Sequence, residues 1–592
     1  MKLPPSLCIG PLLAAFLIRN IAAVDSQHEI PSSRRPSSQR RDADTKKGPN
    51  VLFIMSDDQD LHLNSMDYMP NVKSLIANHG TTYQKHFCTN ALCCPSRISL
   101  LTGKAVHNTN VTDVAIPWGG YPKFITQGLN NDYLPIWLQE GGVNTYYVGK
   151  FSNGHNTKNY NKPFAKGWNN SDFLLEPGQY DYLHNIWTIN KGDPQPFPGV
   201  NAIHLMTNQS LRMLDEAATA GGPFFLTVAP AIPHLGLSAT NKSTFWPIPK
   251  PEYADAFSNA TVPNTTNFNP SNATGASWIK RLERQDQTVV DLENGYYRAR
   301  LRAIAGLDDL VSDLIARLEK HGILNNTYVF YTTDNGYHIG QHRMGPGKKC
   351  GYETDINIPM VIRGPGIPVN KNTSIVTTHT DLAPTFLSMF NIPLRTGFDG
   401  KPIPITNASI TANSNRPFEH VNVEIWGSAS LSEGINITEP KDLGAENNTY
   451  KSMRVIGSGY SLYYSVWCTN EHELYDMTND DQQVNNLLSD SKEGMWKNLN
   501  QLQGSLLGHP LSKVMPRLDA LLLVLKSCKE SACTDPWRQL HPQGNVNSLA
   551  DALNSTYDDF YNAQPKVRFT DCKPVYLIEY EGPQTAMRYN GS

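Results

Sequence analysis

Between residues 51 and 363 the chain alternates short apolar runs with longer segments of mixed polarity. VLFIM (Val51–Met55), NTYYV (Asn144–Val148), FFLTV (Phe224–Val228), YVFYTT (Tyr328–Thr333) and MVIRG from Met360 are rich in β-branched and aromatic residues, the composition of strands. Between them, PNVKSLIANHG predicts a helix ending at Gly80. The longest amphipathic segment, ENGYYRARLRAIAGLDDLVSDLIARLEKHG, predicts a helix that stops at Gly322, with apolar residues at three- and four-residue spacing. Apolar strands alternating with helices predict an α/β fold with a largely parallel sheet covered on both faces.

The pattern changes in three places. Residues 1–23 carry Lys2, an apolar run from Leu7 to Ile18 and small residues at Ile21-Ala22-Ala23, which reads as a secretory signal peptide rather than a membrane span. Residues 24–48 are polar and rich in Ser and Arg, the composition of a disordered arm. Residues 236–275, dense in Asn, Pro, Ser and Thr, read as a surface insertion in a large domain spanning 49–410. Beyond it the alternation fades. YKSMRVIGSGYSLYYSVW (from Tyr450) predicts antiparallel strands and Leu518–Leu525 a helix, so 411–592 is expected to form a smaller α+β domain.

Length and charge narrow the class. A chain of 592 residues exceeds one ordinary core. With 51 basic against 54 acidic residues, nothing in the balance points to nucleic acid or an anionic membrane as partner. Acceptor triplets for N-glycosylation begin at Asn110, Asn169, Asn208, Asn241, Asn259, Asn264, Asn272, Asn325, Asn372, Asn407, Asn436, Asn447, Asn554 and Asn590. Beside a signal peptide, that density predicts a secreted glycoprotein. Cys528 and Cys533 are spaced to close a small loop, although connectivity is not readable from sequence. Cys88, Cys93 and Cys94 lack the spacing and second ligand pair of a zinc site.

Sites in open α/β sheets form at the carboxyl ends of strands. Ser56-Asp57-Asp58 follows the first strand, Asp334-Asn335-Gly336 follows Thr333, Gly149-Lys150 follows Val148, and His234 comes soon after Val228. Three carboxylates and a carboxamide on one edge would repel one another unless a cation sat among them. Oxygen ligands suit calcium or magnesium. CCPSR (Cys93–Arg97) precedes the apolar ISLLTG, which places a cysteine at a positive helix end suited to an anion. With Arg97, Lys104, His107, Lys150, His234 and Lys348 also available, the pocket suits a tetrahedral oxyanion ester. Composition and pattern do not choose sulfate over phosphate. A serine-hydrolase elbow and a nucleotide phosphate loop are both absent from the sequence.

Cys-x-Pro-Ser-Arg-x-x-x-Leu-Thr-Gly is the signature of the type I sulfatases, and Cys93 to Gly103 matches every fixed position. The resemblance extends through SDDQD, TDNGYHIGQHR, RGPG and ELYDMTNDDQQVNNL. In VTDV, GGY and LPIWLQEGGVNTYYVGK the chain resembles fungal and algal arylsulfatases, and in its paired cysteines the N-acetylglucosamine-6-sulfatases. This resemblance implies an alkaline-phosphatase-like fold and hydrolysis of sulfate esters, aryl sulfates first and sulfated sugars second. It implies that the formylglycine-generating machinery converts Cys93 to formylglycine, whose hydrate attacks sulfur. Ca2+ (or Mg2+) would be held by Asp57, Asp58, Asp334, Asn335 and residue 93. Arg97 would hold the hydrate, Lys150 and Lys348 would neutralise sulfate oxygens, and His234 would assist the leaving alcohol. Two departures stand out. Ser152 replaces a histidine common in the family, leaving His107 or His155 as substitutes for the base that expels sulfate. Asn357 replaces an arginine before the strand near Pro359. Lys104 is expected to be structural.

Overall fold

The computed structural model describes residues 48–413, 419–429, 433, 447–489, 496, 499 and 502–591. The signal peptide, the basic arm and Asn436 lie outside the described residues. Ten strands form the main sheet: β1 (Asn50–Ser56), β2 (Gly80–Tyr83), β3 (Asn144–Lys150), β4 (Asn170–Leu174), β5 (His184–Ile189), β6 (Gln195–Pro198), β7 (Phe224–Ala229), β8 (Thr327–Thr333), β9 (Met360–Arg363) and β10 (Lys371–Thr373). Their spatial order is β10-β2-β9-β8-β1-β7-β3-β4-β5-β6. The central neighbours β8, β1, β7, β3 and β4 are parallel, while β9 and β5 pair antiparallel with theirs.

Strand alternation decides the two layers, because successive side chains leave opposite faces. On β1, Val51, Phe53 and Met55 join one core with Ile98 and Leu100 of α1 (Cys93–Thr102) and Phe386 of the later helix Leu382–Met389. Leu52 and Ile54 enter the other core with Leu205 and Met213 of α2 (Ala202–Thr219) and Ile304 and Leu307 of α3 (Gln287–Lys320). Complete burial of one such side chain is worth about 1.5–3 kcal/mol. The long helix begins before the quoted ENGYY, where Asp286 caps it by accepting from Val289 N at 3.0 Å.

The helix expected before Gly80 does not form as an α-helix. Val72–Ile76 makes a π-type turn and Ala77–His79 a 3₁₀ turn, and Gly80 opens β2. A Cβ on Gly80 would sit 2.1 Å from Ile362 O, so the glycine answers to strand contact rather than to helix termination.

Lys47 to Ser592 form one compact unit. Within it a second sheet has the order β11 (His420–Ile425), β12 (Tyr450–Gly457), β13 (Tyr460–Trp467), β14 (His472–Asp476), all antiparallel. One face packs on α4 (Leu511–Leu525), which extends further toward the N-terminus than its apolar run suggested. The other face meets Phe87, Ile356 and Ile358 beside the main sheet. Disulfides join Cys468 to Cys572 and Cys528 to Cys533.

Candidate active site

Register builds the site. Ser56 pairs with Thr333, Ile54 with Val228, and Gly149 with Ala229. The loops carrying Asp334-Asn335, Asp57-Asp58, His234 and Lys150 therefore leave four adjacent strands at one edge. α1 starts there with Cys93 in its first turn, where unpaired backbone N–H groups favour negative charge.

The side chains interlock. Lys150 Nζ donates to Asp57 Oδ2 at 2.6 Å, and Arg97 Nε donates to Asp334 Oδ2 at 2.8 Å. Lys348 Nζ pairs with Asp58 Oδ1 and lies 3.1 Å from Cys93 Sγ. The thiol is 3.5 Å from Asp57 Oδ1 and 3.8 Å from Asp58 Oδ1. Asn335 Nδ2 donates to Asp58 Oδ1 at 2.8 Å. His234 Nε2 lies 3.5 Å from Asp58 Oδ2, and its ring stacks on Tyr180 at 4.1 Å between centroids.

Burial sharpens these charges. It would raise the pKa of Asp57, but Lys150 and Arg97 outweigh it and hold the carboxyl well below the usual range. Burial pushes the Cys93 thiol well above its usual value, against the pull of Lys150 and Lys348. The same burial would lower Lys150, which Asp57 keeps firmly protonated. Asp334 is raised, by burial first and by Asp57 next.

A cation fits this donor set. Among the described residues, Asp58 Oδ2 and Asn335 Oδ1 are buried without a hydrogen-bond partner, a costly state for polar atoms. One ligand atom from each of Asp57, Asp58, Cys93 and His234 falls within 4.8 Å of the others. Oxygen-dominated donors suit a hard divalent ion.

The remaining candidates make their contacts elsewhere. His107 Nδ1 meets Glu424 Oε1 at 2.8 Å, and its Nε2 reaches Cys528 O at 2.8 Å. His155 stacks on Tyr121 at 4.2 Å, and burial lowers its pKa to about 3. Lys104 lies just beyond the C-terminal end of α1, on the order of 15 Å along the axis from its start. Ser152 Oγ is 3.1 Å from Cys94 Sγ, so the second cysteine is occupied by the residue that departs from the family pattern. Asn357 caps local backbone, donating to His86 O at 2.9 Å.

Sequence reasoning missed Tyr180, His379 and Arg300. His379 Nδ1 lies 2.8 Å from Ser96 Oγ, which donates to Asp334 O at 2.6 Å. Arg300 carried a readable signal: it occupies the apolar stripe Tyr297, Arg300, Ile304, Leu307 at helical spacing, and a charge placed there must find a buried partner. Tyr180 ends a single 3₁₀ turn, Gly178–Tyr180, too short to leave a periodic cue.

A family model described as Sulfatase matches residues 49–392. The chain belongs to the sulfatase family. It is 34% identical over 555 residues to an arylsulfatase of Volvox carteri, covering 89% of this chain and 82% of that one. It is 30% identical over 511 residues to the N-acetylglucosamine-6-sulfatase of Capra hircus, covering 82% of this chain and 85% of that one. The fold is likewise similar to the solved structure of BT4656 in complex with its substrate D-glucosamine-2-N,6-O-disulfate, with a TM-score of 0.59 and 21% identity over 77% of this chain and 96% of that chain. The alkaline-phosphatase-like architecture expected from the motif is the architecture present, and sulfate ester hydrolysis is the activity of the family.

Proposed function

We propose that this sulfatase hydrolyses aryl sulfate monoesters through residue 93 after its conversion from cysteine to formylglycine. The observation that carries the reading is the placement of Cys93 at the start of α1, 3.1 Å from Lys348 Nζ and 3.5 Å from Asp57 Oδ1. Hydration of the aldehyde gives two hydroxyls. One attacks sulfur, and the other lets the intermediate collapse back to the aldehyde as sulfate departs, a route an ordinary cysteine or serine ester lacks.

The chain's own groups divide the work. A divalent cation, calcium first and magnesium as the alternative, would be held by Asp57, Asp58, Asp334, Asn335 and residue 93, and supplies Lewis-acid polarisation of the sulfate. Lys150 and Lys348 neutralise sulfate oxygens as charge shifts, and Arg97, fixed by Asp334, orients the hydrate. His234 protonates the departing oxygen. Its side chain is 16% exposed while that of Asp58 is fully buried, so it faces the side from which an alcohol leaves.

A signal peptide, two disulfides and the acceptor triplets support passage through the secretory pathway. Asn169, Asn208, Asn241, Asn259, Asn264, Asn272, Asn325, Asn372, Asn407 and Asn554 are all exposed, and Asn447 is half-buried, so each is proposed as a glycosylation site. No described helix is long and apolar enough to cross a membrane. The 30% identical relative named N-acetylglucosamine-6-sulfatase supports a second substrate class, sulfated sugars.

The test is a mass spectrum of the tryptic peptide His86–Arg97 from natively expressed protein, beside rates on 4-nitrophenyl sulfate, 4-nitrophenyl phosphate and glucosamine 6-sulfate. An aldehyde at residue 93 and preference for the aryl sulfate are expected. Alkylation of all three thiols of that peptide, Cys88, Cys93 and Cys94, and no turnover would favour a catalytically silent binder of sulfated glycans.

A further inference from the structure

We infer that Arg300 is a positioning residue that sets the distance between Asp58 and His234; this rests on the functional reading above. Its guanidinium is fully buried on α3 and touches three of the loops that build the site. Nη2 donates to Asp58 O and lies 3.6 Å from Asp60 Oδ1, and Nη1 donates to Pro233 O at 3.4 Å. The guanidinium carbon sits 4.0 Å from the centre of the Tyr337 ring, two residues beyond Asn335.

Each contact bears on a reacting group. Asp58 has φ 62°, a left-handed conformation that a non-glycine residue keeps only when its surroundings hold it. Its N–H donates to Asp334 Oδ1 at 3.1 Å, and Arg300 takes the carbonyl. Between these restraints the carboxylate points at Cys93 and Lys348. Pro233 O is the carbonyl immediately before His234, so the same planar group holds the backbone on which the proton donor is mounted. Arginine suits this role because its fork spans two carbonyls at once, whereas a lysine ammonium is a single point. Asp60 Oδ1 supplies a carboxylate 3.6 Å from the guanidinium, and the Tyr337 and Tyr296 rings lie 4.0 and 5.9 Å from its carbon.

The test uses the full-length protein with R300K and, as a control on the same helix, R302K; Arg302 Nε donates to Ala256 O at 2.7 Å, away from the site. Two readouts are compared, the Ca2+ concentration that half-saturates the rise in Tm and kcat/KM on 4-nitrophenyl sulfate and phenyl sulfate. R300K is expected to weaken the calcium midpoint by about 10- to 100-fold. It should also lose more rate on phenyl sulfate, whose poorer leaving group needs a well-placed His234. R302K should change neither ratio. Equal losses on both esters, or an unchanged calcium midpoint, would overturn the inference. Should R300K fail to fold, Y337L keeps the cation, removes its supporting ring, and is expected to shift both readouts in the same sense. If the wild type turns over no sulfate ester, the functional reading falls, while the calcium midpoint still tests Arg300.

Discussion

Two clusters of buried charge in this molecule look alike and behave differently. At the carboxyl edge of the main sheet, Asp57, Asp58 and Asp334 face Lys150, Lys348 and Arg97, yet Asp58 Oδ2 and Asn335 Oδ1 remain without a hydrogen-bond partner. Beneath the second sheet, Glu424 receives His107 N at 2.9 Å, His107 Nδ1 at 2.8 Å and Lys451 Nζ at 2.7 Å. Lys451 also donates to Lys526 O at 3.2 Å and lies over Trp426 at 4.3 Å. Both carboxylate oxygens of Glu424 are taken by protein donors, and the cluster's atom without a hydrogen bond among the described residues is a lysine nitrogen, Lys526 Nζ, so nothing there invites a cation. Charge and burial alone do not mark a cation site; buried oxygens left without hydrogen-bond partners do.

This contrast can be broken most severely at Cys93. C93A, which cannot mature to an aldehyde, is expected to lose on the order of 10³-fold or more in kcat on 4-nitrophenyl sulfate, with Tm close to wild type. D58N comes next. It should abolish the rise in Tm on adding Ca2+ and lower kcat by several orders, since metal polarisation is worth several kcal/mol; retention of the calcium response would remove Asp58 from the ligand set. E424Q should do the reverse, leaving kcat per folded molecule unchanged while destabilising the fold by about 3–5 kcal/mol in urea unfolding, because the buried Lys451 ammonium loses its nearest anion and the His107 ring its carboxylate partner.

The smallest effect is one of pH. Burial pushes Glu424 upward, but His107 and Lys451 outweigh it and bring its pKa to about 2, so its contribution is present above pH 4.5 and lost as pH falls toward 2. Asp519 under the same sheet is opposite, raised by burial to about 7. A raised carboxyl stabilises fully below its unfolded value and loses that contribution as pH climbs to 7. D519N should therefore flatten the fall in stability between pH 4 and 7, a change on the order of 2–4 kcal/mol; an unaltered slope would show that Asp519 is ionised in the folded protein.

Much of the site was legible before the fold was known. Asp57, Asp58, Asp334 and Asn335 each follow an apolar strand, and that position has a physical meaning in a parallel sheet. Cys93 and Arg97 share one motif and one helix. His107 illustrates the limit: its local sequence placed a histidine near the chemistry, and a glutamate 317 positions away claimed its ring.

Local pattern determined the strands, the long helix, the cysteine at a helix start and the ion-ready carboxylates, because strand and helix periods and turn chemistry act over a few residues. Tertiary structure alone decided which of the candidate cations face Cys93, that PNVKSLIANHG forms tight turns leading into a strand, and that Arg300 lies beneath Asp58. Those outcomes depend on pairing between β1 and β8 and on packing of α3, partners hundreds of residues apart whose charges meet only once water has been excluded between them.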